Sequence, residues 1–160
     1  MTGPVTRRHD PKRVRPRSPG YARLVIRRPS DEWQRQVDEE AAEVARGVRS
    51  PTDVHAVGLW PESLRLGTDT ALDGFEAELA ALRSSTDADV LGVVERLVLT
   101  LNNINRQHVN AGLTGYETDE REELCDYITE SLRRFGIDVK GLEQRNGADP
   151  GDIAGRWRDW

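Results

Sequence analysis

The chain has 160 residues, of which 36% are hydrophobic and 32% charged, with a formal charge of −5. That length suits one domain of about 100 residues with tails, and no apolar run approaches the roughly 20 residues that cross a bilayer, so no membrane association is expected. One cysteine excludes an internal disulfide framework and a multi-cysteine zinc site, and points to a reducing, cytoplasmic compartment.

The net charge hides two opposite segments. Residues 1–30 hold nine Lys or Arg against Asp10 alone, a net of +8, and the remaining 130 residues carry 14 basic and 27 acidic side chains, a net of −13. The first segment, MTGPVTRRHDPKRVRPRSPGYARLVIRRPS, has proline at positions 4, 11, 16, 19 and 29. Each proline removes a backbone donor and disfavours helix at the residue before it. Residues 1–29 are therefore expected as a disordered basic arm, within which YARLVI at 21–26 forms a short strand or a hydrophobic clip onto the body. Arg7 and Arg8 lack the apolar stretch of a twin-arginine export signal, since DPKRVRPR follows them. Arg7, Arg8, Lys12, Arg13, Arg15 and Arg17 suit an anionic partner, nucleic acid included, because clustered cations neutralise phosphates and release counterions. The alternatives are a solubilising tail, or an arm folded against the acidic body or another acidic protein.

The body reads as helices. Ser30 stands as an N-cap, with Asp31 and Glu32 in the first turn, and Trp33, Val37, Ala41 and Val44 form an apolar stripe on a helix over 31–46. Its outer face carries Gln34, Asp38, Glu39 and Glu43. Residues 48–67 contain Pro51, Gly58, Pro61 and Gly67 and read as a loop that packs, with Leu59 and Trp60 plugging the core. A second helix is expected over 70–84, capped by Thr68 or Thr70, with Leu72, Phe75, Leu79 and Leu82 inward.

Thr86 and Asp89 at capping-box spacing open the central helix, 88–110. Val90, Val94, Leu97, Val98, Leu101, Ile104 and His108 line one face and Val93 widens it, so this helix is expected to be buried against two neighbours. Gly112 and Gly115 turn the chain. Thr118 then caps a helix over 119–135, whose first turns hold Asp119, Glu120, Glu122 and Glu123 and whose inner stripe is Leu124, Ile128, Leu132 and Phe135. Arg133 and Arg134 meet its negative end, Gly136 supplies a left-handed C-cap, and Ile137 the following hydrophobic contact. Residues 138–160 read as a flexible tail or a short docking helix, with Ile153, Trp157 and Trp160 spaced by four and three. The expected fold is all-α: a bundle of about four helices over 30–137, between the basic arm and that tail.

Catalytic motifs are absent from the sequence. No G-x-S-x-G occurs, and neither phosphate-binding glycine loop follows a strand. Cys125 lies mid-helix among carboxylates, which raise a thiol pKa, so it reads as a core residue. His108 with Glu117, Asp119 and Glu122 has a metal-compatible donor set, but the carboxylates sit where any helix start favours them and His108 lies on the apolar stripe. No metal and no cofactor are expected. Asn105, beside that stripe, needs partners for its amide, and the backbone of the 112–118 turn is the expected one. Asn105, His108, Glu117 and Thr118 are thus read as organising the turn.

The segment LNNINRQHVNAGLTGYETDEREELCDYITESLRRFGI joins an Asn-rich helix end, a glycine turn, ETDEREELCDYI and a closing Gly-Ile. Over about residues 94–137 it resembles a group of small, acidic, helical bacterial proteins of poorly assigned function, some found as candidate immunity proteins beside polymorphic toxins. Glu117, Thr118, Arg121, Glu122, Leu124 and Cys125 agree with that group's pattern, whereas Thr114, Gly115 and Tyr116 precede Glu117 here, a departure from the aliphatic pair of that group. The resemblance implies a non-enzymatic binding protein whose acidic surface covers a basic protein partner, with Asp38, Glu39, Glu43, Glu120 and Glu123 as the expected contact face. The alternative is a nucleic-acid-associated accessory protein acting through the arm.

Overall fold

The computed structural model describes residues 26–83 and 86–160. Its elements in chain order are α1 (Pro29–Ala45), a 3-10 turn (Pro51–Asp53), α2 (Ala56–Leu59), α3 (Glu62–Ala81), α4 (Asp87–Asn110), α5 (Thr118–Arg134) and α6 (Val139–Asn146). No strand occurs among the described residues, and the fold is an all-α bundle. Arg7, Arg8, Lys12, Arg13, Arg15 and Arg17 lie outside the described residues, as do residues 21–25 of the expected strand or clip; Ile26, its last residue, is partly buried against the core.

α3 packs along α4, and α1 lies against α3, α2 and α5. The shared core is Leu64, Leu72, Phe75 and Leu79 of α3, the α4 stripe from Val90 to Leu101, Leu124, Ile128 and Leu132 of α5, and Trp33 of α1. Leu91 and Val93 are buried beside Val90 and Val94, which gives α4 the broad apolar face that two neighbours require. Thr86 caps α4 by accepting the Asp89 N–H at 3.2 Å.

Several local expectations are corrected. Ser30 is not the cap of α1. Pro29 occupies the first turn, where a missing N–H costs nothing, and Ser30 Oγ donates instead to Asp69 Oδ1 at 3.2 Å. Ala41 is exposed, so the α1 stripe is deeply buried only at Trp33. Much of the expected 48–67 loop is helical, because α3 begins directly after Pro61 and runs through Gly67. Thr68 and Thr70 cap nothing: their hydroxyls donate to the carbonyls of Leu64 (2.7 Å) and Leu66 (2.9 Å), one turn back inside the helix. Trp60 is buried, but Leu59 is exposed. α3 stops at Ala81, before Ser84, which lies outside the described residues. Phe135, expected on the inner stripe of α5, is the exposed C-cap residue. The stop itself follows the sequence pattern: Gly136 has φ +79° and the Ile137 N–H reaches back to the Leu132 carbonyl at 3.1 Å.

Residues 138–160, expected as a flexible tail or a docking helix, carry α6 and pack onto the body. Val139, Leu142, Ile153, Ala154 and Trp160 are buried. Asn102 of α4 holds the end of the chain through both halves of its amide, donating to the Trp157 carbonyl at 2.7 Å and accepting the Asp159 N–H at 3.2 Å.

Candidate functional site

The site is built around the start of α5. Trp33 and Trp60 stack with ring centroids 6.3 Å apart and planes 4° from parallel. Tyr116 tilts against Trp33 at 6.2 Å, and Trp160 meets Tyr116 edge-on at 5.7 Å. Each stacked indole donates to a carboxylate one helical turn apart on α5: Trp33 Nε1 to Glu123 Oε2 at 2.7 Å and Trp60 Nε1 to Glu120 Oε1 at 2.8 Å. The other oxygen of Glu120 accepts the Glu117 N–H at 2.9 Å. Glu117, not Thr118, is therefore the N-cap of α5, and Thr118 is its first helical residue.

These bonds change the expected acidic face. Glu120 is 8% exposed and committed on both oxygens, so it is a structural acceptor and not a contact for a partner. Glu123 stays exposed but is tied to Trp33. Burial lifts its pKa, the Trp33 bond lowers it, and repulsion from Glu120, Asp119 and Glu32 adds to the rise, leaving it above the ordinary value. On α1, Asp38 accepts from Gln34 at 2.8 Å, Glu39 pairs with Arg35, and Glu43 pairs with Arg49 at 2.7 Å. The five residues do not form one free surface.

Unengaged among the described residues is a row on α5 that the sequence reading did not single out for binding. Asp119, Glu122 and Asp126, spaced by three and four, lie exposed on α5, with no ion pair or hydrogen bond to them among the described residues. Their spacing places them on one helical face. Glu130 extends the row by one turn and has only a 3.7 Å contact to Arg133.

The turn before α5 is held from α4. Asn105 Oδ1 accepts the Tyr116 N–H at 2.8 Å, and a Cβ on Gly115 would stand 2.1 Å from that oxygen, so a larger residue there displaces the Asn105 amide. His108 acts elsewhere than expected. Its Nδ1 lies 2.9 Å from the Ile104 carbonyl and must carry the proton, which leaves Nε2 to accept from Ser63 Oγ at 2.8 Å. His108 thus ties α4 to the first turn of α3. Cys125 is half-buried with Arg158 Nη1 2.8 Å from its sulfur, and burial outweighs Arg158 in pushing the thiol up.

Two anchors escaped the sequence reading. Arg28 spreads its guanidinium over Asp69 (2.8 Å), Asp73 (2.6 Å) and Glu76 (3.0 Å) of α3. Burial pulls its pKa down, but those bonds outweigh it and raise the value. Glu40 Oε2 accepts the N–H groups of His55 and Ala56, both at 2.8 Å, and so fixes the start of α2 and the approach to Trp60. The recurrence of Asp69, Asp73 and Glu76 at helical spacing was the available signal for the first; nothing in sequence marks the second. No family model, curated protein or solved structure matches the chain.

Proposed function

We propose that the chain is a non-enzymatic protein-interaction module that presents the acidic face of α5 to a basic surface on another protein. The observation that supports this reading is the row Asp119, Glu122 and Asp126, exposed and unpaired among the described residues, while Asp38, Glu39 and Glu43 of α1 are engaged by glutamine or arginines. The helix that carries the row is held at its start by two indole–carboxylate bonds and the Glu117–Glu120 bond. A preorganised charged face speeds encounter with an opposite one and loses little entropy on docking. The body's net charge of −13 over residues 31–160 acts in the same direction. Immunity-like neutralisation, in which the face covers a basic active site such as that of a nuclease-like toxin, is the sharpest form of the reading.

The test is affinity capture from a nuclease-treated bacterial lysate with the full chain and with Asp119→Asn/Glu122→Gln/Asp126→Asn, read by mass spectrometry. A basic protein retained by the wild type and lost with the variant, whose far-UV circular dichroism is unchanged, is the expected result. Partners retained equally by both would overturn it. Partners that vanish on nuclease treatment would favour the nucleic-acid reading, carried by Arg7, Arg8, Lys12, Arg13, Arg15 and Arg17.

A further inference from the structure

We propose that the acidic face of α5 is the docking site of the chain's own basic segment, residues 1–25. The described residues show how the body takes the arginines that follow this segment. Arg28 is spread across Asp69, Asp73 and Glu76, a carboxylate row on α3 spaced by four and three, and Arg27 stands 3.6 Å from Glu32. The next basic residues back along the chain need further carboxylates, and many on the body are already paired. Glu32 and Glu39 pair with Arg35, Glu40 and Glu43 with Arg49, Glu78 with Arg96, and Asp87 with Arg145. Asp119, Glu122 and Asp126 have no basic partner among the described residues, and they repeat the helical spacing that captures Arg28.

The segment leads into the seam of α3 and α5, where Arg28 Nε and the buried Tyr127 hydroxyl share Glu76 Oε1. Residues 1–25 contain seven Lys or Arg against Asp10. Extended, 25 residues reach roughly 80 Å, several times the length of about 25 Å of a 17-residue helix such as α5. A tethered segment also acts at a high effective concentration, up to about millimolar, and this favours the chain's own segment over that of a second copy. The docking requires no external partner. Its consequence, that segment and basic partner contend for one set of carboxylates, rests on the function proposed above.

Lys12 and Lys140 are the only lysines in the chain, which makes the test specific. The full chain, alone, is treated with a carbodiimide that joins amines to carboxylates in contact, and the products are mapped by mass spectrometry at low salt and at 1 M salt, where the Debye length is about 3 Å. The expected product is an amide from Lys12 to the peptide bearing Asp119, Glu122 and Asp126, within the monomer, lost at high salt and lost in Asp119→Asn/Glu122→Gln/Asp126→Asn. Lys12 joined mainly to other carboxylates, joined only in crosslinked dimers, or joined no more than in denaturant would overturn the proposal. Because no partner is present, this result stands apart from the capture experiment in either direction.

Discussion

Trp33 and Trp60 lie face to face, and each passes its indole N–H to a glutamate on the same helix, Glu123 and Glu120. The pair therefore joins α1 and the α2–α3 connection to the first two turns of α5. It also sorts the α5 carboxylates into those that serve the fold and those that face outward. The predictions below separate these roles.

Trp60→Phe should cost more stability than Trp160→Phe. Both changes remove ring volume, but the first strips a donor from Glu120, a buried carboxylate, at about 1–3 kcal/mol. The second removes Trp160 Nε1, a buried atom with no hydrogen-bond partner among the described residues. Urea unfolding of the two variants measures the difference; equal losses would contradict the role assigned to the Trp60–Glu120 bond.

Arg28→Met should destabilise the body by about 2 kcal/mol at neutral pH, since it removes a charge-assisted fork and leaves Asp69, Asp73 and Glu76 to repel one another. The penalty should shrink at high salt, which screens that repulsion. A penalty independent of salt, in matched urea titrations, would show that packing of the Arg28 stem carries the effect.

Gly115→Ala and Asn105→Ala should be less than additive. The added Cβ displaces the Asn105 amide and breaks its bond to the Tyr116 N–H, so each change removes the same interaction, worth about 1 kcal/mol. Full additivity in a double-mutant cycle would mean that the turn is held by other contacts.

Much of this architecture is legible in the sequence because local signals agree. Thr86 with Asp89 and the apolar face from Val90 to Leu101 define α4, and Leu124, Ile128, Leu132 and Gly136 define α5. The start of α3 is obscured because Gly67, Thr68 and Thr70 read as loop and cap residues, whereas Pro61 is the true boundary. The Trp60–Glu120 bond spans 60 residues, and a carboxylate in a first helical turn looks the same in sequence whether it meets water or an indole. The glutamate spacing at 117 and 120 was the sign that one carboxylate is bound to its own helix start.

Glu123 gives a pH signature. Its carboxyl is raised by burial, offset by the Trp33 bond and reinforced by Glu120, Asp119 and Glu32, so it holds its proton more tightly folded than unfolded. Stability contributed by this group is therefore present in acid and is lost as pH climbs from the ordinary value of about 4.3 through the raised one. Glu123→Gln should flatten that part of a profile of Tm against pH while its amide oxygen still accepts from Trp33. A variant profile parallel to the wild type would contradict the assignment.

The most direct measurement of the central claim is an amide chemical-shift map of the isotope-labelled full chain, recorded as the captured basic protein is added. The account predicts perturbations concentrated at Asp119, Glu122, Asp126 and their neighbours on α5, weakened by salt. Perturbations centred on α1, or on the basic segment with α5 unmoved, would contradict it.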